Sequence, residues 1–445
     1  MIVELRLCEC DKRDKQIDAK NEKTRQIQRK EERNNMDMIK KCLGVIMAGG
    51  AGERLWPLTQ DRAKPAVPFG GLYRIIDFTM SNCINSDLRR VVVLTQYKAQ
   101  SLMRHIRLGW SIFSAVCGEF IEVIPAQQRV GFNWYMGTAD AVYQNLYYIE
   151  NIDPEYIVLL SGDHVYKMDY GKMLQYHLDQ GADATIATIE FTRKDAQRFG
   201  VIQVNEQMQI IGFQEKPVEP LPLPYNPEKS FVSMGIYIFN TRLLKELLIE
   251  DSQDKHSTHD FGKDIIPKLI HSAKIFAYNF IDENKKQAQY WRDIGTLESY
   301  WEANMDLVYV EPIFNLYDAE WPIRTYMVPA PPAKFVFGQE GKRIGKAIDS
   351  IVCNGCIISG GVVMDSILSP WVRINSYSTV EQSIVMDDVE VGRYSRIRKA
   401  IVDKYTQIPP HTLIGYDAEE DKKRFFTTET GLIVVRPQDF EATVI

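Results

Sequence analysis

Aliphatic residues recur at six-residue spacing through the last quarter of the chain, and few folds can absorb that period. Ile351, Ile357 and Val363 form one series, and Val362, Leu368, Ile374, Val380 and Met386 a second. Val391 and Ile397 follow, then Val402, Ile408 and Ile414. A step of six fits neither the 3.6-residue turn of an α-helix nor the two-residue alternation of a single strand. It is the period of a left-handed parallel β-helix, where each side of a triangular coil supplies one buried aliphatic and stacked coils bury one another. The phase slips between series, so alternating antiparallel strands that happen to fall six apart are the competing arrangement. The β-helix is expected over residues 346–435.

Ahead of it, residues 305–345 carry Pro312, Pro322, Pro329, Pro331 and Pro332, a composition suited to an extended connector and a domain boundary. From residue 42 to residue 304 short apolar runs alternate with longer amphipathic ones, which predicts an α/β domain with a Rossmann-like, mostly parallel sheet. The candidate strands are Leu43 to Ala48, Arg90 to Thr95, Tyr156 to Ser161, Ala184 to Ile189, Gly200 to Val204 and Gly235 to Phe239. Ligands of such sheets sit beyond the carboxyl ends of the strands, so the residues after Ala48 and Ser161 come first. Residues 1–41 stand apart. From Asp11 to Lys41 polar residues dominate, and Ile17, Ile27 and Ile39 are too isolated to make a buried face that would offset roughly 1–2 kcal/mol of ordering entropy per residue. A disordered or loosely helical extension and an annexed helix are the two readings, and Met36 and Met38 allow for a later start.

Lys and Arg number 53 against 59 Asp and Glu, a net charge of -6 that offers no general attraction for nucleic acid or an anionic membrane. Any anionic ligand must then be held by a local cluster of charge. Seven cysteines, an odd and scattered set, do not form the framework of a small secreted domain. Runs such as Val91 to Leu94 and Ile157 to Leu160 fall far short of the roughly 20 residues that span a bilayer, and no apolar stretch of signal-peptide length follows Met1. A cytoplasmic protein without nucleic-acid or membrane partners is expected.

The densest motif runs Leu43-Gly44-Val45-Ile46-Met47-Ala48-Gly49-Gly50-Ala51-Gly52-Glu53-Arg54-Leu55 and continues to Arg62-Ala63-Lys64-Pro65-Ala66. A buried strand enters a turn whose Gly49, Gly50 and Gly52 let backbone N–H groups approach phosphate oxygens, and Arg54 and Lys64 add fixed positive charge. It is neither a Walker motif nor the dinucleotide fingerprint. The string resembles the signature of nucleoside-diphosphate-sugar pyrophosphorylases, and over its length the chain is similar to the bacterial ADP-glucose pyrophosphorylase family. Arg74-Ile75-Ile76-Asp77-Phe78, Pro125-Ala126-Gln127-Gln128-Arg129, Gly137-Thr138-Ala139-Asp140, Ser161-Gly162-Asp163-His164, Glu215-Lys216-Pro217, Ser233-Met234-Gly235 and Trp291-Arg292-Asp293 carry the likeness, from about Leu43 to Val435.

The resemblance implies that ATP and α-D-glucose 1-phosphate give ADP-glucose and pyrophosphate, with Mg2+ on Asp163 and Asp293. It implies catalytic roles for Arg54, Lys64, Asp163 and Lys216, the last pairing with the sugar phosphate. Glu215, Ser233 and Asp260 match positions that bond glucose hydroxyls, and Tyr135 and Gly200 line the same pocket. Gln96, Gln128 and Thr138 match positions near the nucleotide, and a homotetramer is implied. Read from the residues alone, Asp163 could cap a strand–helix turn, Asp293 could cap the helix after Gly295, and Lys216 could be a solvated surface lysine. Trp134 and Tyr135 could be core or a loop over the pocket. Cys353 and Cys356 invite a zinc reading, but no partner pair lies nearby, and coil packing is expected. His259 is expected to be structural, because an already ionised phosphate needs no general base.

Several positions depart from the family pattern. Relatives carry Thr or Ser where Glu53 stands. Asp61 replaces a lysine, Asn151 an arginine and Lys404 another arginine of relatives activated by fructose 1,6-bisphosphate. Arg62 and Arg74 remain as candidate contacts for an anionic allosteric effector, and a weak response to that activator is expected. A pyrophosphorylase for another nucleotide sugar and a catalytically silent regulatory subunit are the alternatives; retention of Arg54, Lys64, Asp163, Lys216 and Asp293 together argues against the second.

Overall fold

Cys42–Ala48 forms the central strand of the N-terminal domain, and every residue of it but Met47 is buried. That is the pattern of a strand covered on both faces. A computed structural model of the chain describes residues 38–127, 129, 134–282, 287–339 and 343–440. In chain order the strands that position the site are β1 (Cys42–Ala48), β2 (Arg90–Thr95), β3 (Phe120–Pro125), β4 (Tyr156–Ser161), β5 (His164–Tyr166), β6 (Ala184–Thr192), β7 (Gly200–Val204), β8 (Ile210–Glu215), β9 (Lys229–Asn240), β10 (Ile275–Asn279) and β11 (Trp291–Asp293).

The order β3-β2-β1-β4 is parallel throughout. Beyond β4 the long strand β9 runs antiparallel and pairs with β4, β6 and β7, while β10 lies parallel to β6 and β8 antiparallel to β7. The register of β9 breaks between Ser233 and Tyr237, and Gly235 in the break has φ +67°. A left-handed residue at a bulge favours glycine, and the bulge bends the strand so that its two halves serve different neighbours. Helix α1 (Ile75–Asn85) covers one face of the sheet, and α2 (Thr138–Tyr143) and α3 (Thr241–Gln253) cover the other.

Ile39, assigned to the polar extension on sequence grounds, is 2% exposed and belongs to the core beside β1. Its partners Ile46, Met80 and Val91 come from distant segments, so a pattern read within one stretch of chain cannot find them. The rest of the extension, residues 1–37, lies outside the described residues.

The connector is stitched to polar residues that α1 buries. The Thr325 hydroxyl donates to Asp77 at 2.7 Å, the Arg324 N–H to Ser81 at 2.8 Å and the Trp321 indole to Asn82 at 2.8 Å. Those bonds make the interior position of Asp77, Ser81 and Asn82 tolerable. The connector ends earlier than its expected limit of 345, because Lys334–Val336 already pairs in parallel with Ile357–Ser359 as the first rung of the C-terminal domain; the proline content stops at Pro332.

That domain is a three-sided parallel β-helix. One ladder aligns Ile358, Ile374, Val391 and Ile408, a second Val363, Val380, Ile397 and Ile414, and a third Leu368, Val385, Val402 and Val435. All twelve are 3% exposed or less. Stacked corners repeat every seventeen residues: the Ser383 N–H donates to Ser366 Oγ, and the Ala400 N–H to Ser383 Oγ. Seventeen is not a multiple of six, so one side per coil is a residue short and a six-residue series slips. The first coil is shorter still, since Ile358 pairs with Ile374; its inward residues are Ile358 and Val363, and Ile357 and Val362 are only half-buried. The side carrying Ile367, Ile384, Met386, Ile401 and Val434 joins Leu55, Phe69, Phe78 and helix α4 (Leu297–Met305) in a shared hydrophobic cluster that fixes the two domains together.

Candidate active site

The loops at the carboxyl ends of β1 and β4 floor a cleft of about 400 Å3 lined by Gly49, Gly50, Lys64, Gln96, Tyr135, Thr138, Asp163 and Asp260. A Cβ added at Gly50 would meet nothing within 4 Å, so this backbone stands open to a ligand. Gly52 has φ +68°, and a Cβ there would lie 3.0 Å from both Lys64 Cβ and Thr59 Cγ2. The turn thus needs glycine for conformation and for space. Gln96 clamps the opposite wall, its Oε1 accepting the Tyr135 N–H at 2.7 Å. Trp134 is 55% exposed, which places the Trp134–Tyr135 pair in a surface loop at the cleft. Gln128 lies outside the described residues.

Lys64 sits in the short turn Lys64–Ala66 and sends its ammonium to Asp163 Oδ2, and to Asp293 Oδ1 at 3.4 Å. The antiparallel pairing of β5 with β11 sets Asp293 opposite His164, which brings the second carboxylate beside the first. Burial alone would push the Asp163 carboxyl up, but the charges of Lys64 and His164 and hydrogen bonds from Lys64 and Ser161 hold it well below the usual carboxylate range. Burial would likewise lower Lys64, yet the two aspartates raise it above an ordinary lysine. The result is a fixed ammonium against two fixed carboxylates. The Arg54 guanidinium lies near Asp293, with Nη2 3.5 Å and Asp293 Oδ2 3.1 Å from a Cβ placed on Gly295. Neither aspartate caps a helix: Asp163 accepts from side chains, and the cap of α4 is Thr296, whose Oγ1 accepts the Ser299 N–H at 3.2 Å.

One ligand atom each from Asp163, His164 and Asp293 lies within 4.8 Å of the others, the one such group of three among the described residues. Two converging carboxylates in a phosphate-sized cleft are the hard oxygen donors that Mg2+ prefers. Sequence reasoning assigned no role to Ser161 or His164, although both stand in the Ser161-Gly162-Asp163-His164 string; a residue adjacent to a metal-type aspartate was the available signal.

The second half of the site gathers at the β7–β8 edge. Glu215 pairs in register with Gly200, where an added Cβ would lie 2.6 Å from the Phe213 ring and 3.3 Å from Glu215 Oε2. Asp260 lies across from Glu215: a Cβ on Gly262 would be 3.3 Å from Asp260 Oδ1 and 3.5 Å from Glu215 Oε2. Burial pushes the Tyr237 phenol up to about 12, with the charges of Asp260 and Glu215 adding and a hydrogen bond with Ser233 opposing. Ser233 thus bonds this phenol, and Asp260 and Glu215 are near enough for their charges to act on it. The Lys216 ammonium is 3.1 Å from Glu215 Oε1 and its side chain is 62% exposed.

This arrangement coincides with known families. The nucleotidyl transferase profile matches residues 43–309, and the GlmU-like C-terminal hexapeptide profile matches residues 331–435. The glucose-1-phosphate adenylyltransferase of Koribacter versatilis (strain Ellin345) is 57% identical over 395 residues, 88% of this chain and 94% of that protein. The chain belongs to the glucose-1-phosphate adenylyltransferase family. Family members of the same name from Rhodopirellula baltica (56% over 406 residues; 90% of this chain and 91% of that protein) and Methylococcus capsulatus (53% over 400 residues; 90% and 94%) extend the match.

In this adenylyltransferase-family chain Arg62, Arg74 and Lys404 gather at the seam between the domains. Arg62 makes a bidentate pair with Asp403 at 2.8 and 3.0 Å, Arg74 donates to Ala66 O at 2.8 Å, and Lys404 pairs with Asp387 at 2.8 Å. The two candidate effector contacts are thus bonded internally. Asp61, Glu53 and Asn151 are exposed. Cys353 and Cys356 are buried and free, and the Cys356 thiol donates to Ser369 O, as coil packing requires.

Burial, followed by the charges of Arg74 and Arg62, lowers Lys404 to about 8 despite Asp387. In the unfolded chain its pKa is near 10.4, so between pH 8 and pH 10.4 the unfolded state binds more protons and stability rises with pH. Wild type is therefore expected to gain about 2 kcal/mol on Lys404→Gln between pH 7 and pH 10, read as the difference between their unfolding free energies. A difference that stays constant over that range would contradict the assignment.

Proposed function

We propose that the chain transfers the adenylyl group of ATP to α-D-glucose 1-phosphate, giving ADP-glucose and pyrophosphate, the committed step of bacterial glycogen synthesis. The observation that carries this reading is the Lys64–Asp163–Asp293 cluster at the glycine-lined cleft, whose lining also includes Asp260. A phosphate oxygen of glucose 1-phosphate attacks the α-phosphorus of ATP, one P–O bond forms, and the bond to the bridging oxygen of the leaving pyrophosphate breaks. The nucleophile is already an anion, so the protein's work is alignment and charge neutralisation. Gly49, Gly50 and Gly52 present backbone to the triphosphate, and Arg54 and Lys64 offset its charge. Gln96 and Thr138 shape the nucleotide side. Glu215, Ser233 and Asp260 replace the water bonds of glucose hydroxyls, with Tyr135 and Gly200 closing the pocket, and Lys216 pairs with the sugar phosphate. A divalent cation such as Mg2+, held by Asp163 and Asp293, would supply further neutralisation of the reacting phosphates.

A homotetramer is part of this proposal, and no helix among the described residues is long and apolar enough to cross a membrane. The deciding test incubates the protein with glucose 1-phosphate, Mg2+ and each nucleoside triphosphate separately and measures pyrophosphate. Release with ATP alone is expected; release with another triphosphate, or none, would overturn the reading.

A further inference from the structure

We infer that His259, tied to the buried carboxylate of Asp251, is a positioning residue that locks the sugar-side acid Asp260 to the nucleotide-side turn at Gly137–Thr138. The inference rests on the proposed roles of Asp260 and Thr138.

Asp251 lies near the end of α3 and is 3% exposed, a position that a carboxylate tolerates only when its oxygens are bonded. Its Oδ1 accepts the Ser257 hydroxyl at 2.7 Å, its Oδ2 accepts Nδ1–H of His259 at 2.7 Å, and Lys268 stands 3.6 Å away. His259 in turn has φ +55°, a left-handed conformation uncommon outside glycine. The imidazole is pulled back to Asp251, its own N–H donates to Ser257 Oγ at 2.9 Å, and its carbonyl faces the other way. That carbonyl accepts the Ala139 N–H at 2.8 Å, one of the first-turn donors that α2 cannot satisfy itself.

The contact leaves no slack. A Cβ on Gly137 would overlap the carbonyl oxygens of Thr258 and His259, so the turn and the loop are pressed backbone to backbone. The next residue completes the lock: Asp260 Oδ2 accepts the Thr138 hydroxyl at 3.1 Å, and Thr138 Oγ1 accepts the Phe261 N–H at 3.0 Å. Any rotation at His259 therefore moves its carbonyl and Asp260 together and shifts both substrate halves against each other. Asp264 holds the same loop from another side by accepting the Thr258 and Asp260 N–H groups. It fixes the loop backbone, whereas the His259 tether sets which way the carbonyl points.

The test uses the full chain with His259→Gly, His259→Asn and Asp260→Asn, reading kcat, KM for each substrate and the melting temperature. Glycine keeps the left-handed backbone but drops the tether; asparagine keeps that conformation and an amide donor for Asp251. His259→Gly is expected to raise KM for glucose 1-phosphate about tenfold, with a smaller change in kcat. His259→Asn restores most of the loss, a rescue that simple loss of packing would not produce. Asp260→Asn raises the same KM independently of the tether. If Asp260→Asn acts and His259→Gly does not, the tether is refuted and the sugar-site reading stands. If Asp260→Asn leaves KM unchanged, the sugar-site reading itself falls. Should His259→Gly fail to fold, Asp251→Asn attacks the tether from its other end, and an unchanged KM there also overturns the inference.

Discussion

Asp163→Asn is expected to lower kcat by about 1,000-fold while KM for glucose 1-phosphate stays within about threefold. The substitution keeps size and shape, and Asn still accepts through its single amide oxygen, so the strand end is preserved. What it removes is charge. Asp163 is held ionised against its burial chiefly by Lys64, and Asp293 alone would then face both that ammonium and any divalent cation. Charge neutralisation matters most when the α-phosphorus is crowded by five oxygens, so the loss falls on turnover and not on ground-state binding. Melting should confirm a folded protein, and Mn2+ titration followed by its EPR signal should show weakened binding. A modest fall in kcat matched by an equal rise in KM would remove Asp163 from the reacting centre and leave it a strand-end residue.

How far the sequence reached depends on whether partners are near in the chain. The β-helix was legible because Val363, Leu368, Ile374, Val380, Val391, Ile397, Val402, Ile408 and Ile414 all point inward and recur locally; Ile351, Ile357, Val362 and Met386 fall outside that interior because six does not divide the coil length. β1, β2 and β4 were legible as runs buried on both faces. β3, β5, β8, β10 and β11 were missed. Phe120–Pro125 and Ile210–Glu215 are edge strands of mixed polarity with few fully buried residues, Ile275–Asn279 buries only Ile275 and Ala277, and the three-residue His164–Tyr166 and Trp291–Asp293 are too short to show a period. The same rule divides the site. Gly49 to Lys64 form one continuous string, whereas Asp251 acts on His259 through a carboxylate buried at the end of an otherwise ordinary amphipathic helix, and nothing local marks it. The seam shows the limit from the other side: reversed or altered charges at Asp61 and Lys404 were visible, but that Arg62 and Lys404 are neutralised by Asp403 and Asp387 depends on the fold.

Lys216→Ala should show the opposite kinetic signature, a rise in KM for glucose 1-phosphate of about 100-fold with kcat changed less than about fivefold. Lys216 follows β8 with φ +46°, and its N–H donates to Phe199 O at 3.0 Å, so the backbone aims the side chain without help from its charge. The side chain itself is 62% exposed, and its ammonium pairs with Glu215 at 3.1 Å. An exposed pair of this kind contributes little to stability, so the substitution should leave the melting temperature almost unchanged. The ammonium is therefore free to move onto a phosphate, where a charge-assisted hydrogen bond is worth about 1.5–3 kcal/mol, or roughly 10- to 150-fold in affinity. It contacts the non-reacting part of the phosphate equally in ground and transition states, which is why the effect belongs in KM. KM for ATP should not move. Lys216→Arg should recover part of the loss, because the charge returns with a different donor geometry. A fall in kcat at unchanged KM, or equal small changes in both, would detach Lys216 from the sugar phosphate and return it to the solvated surface.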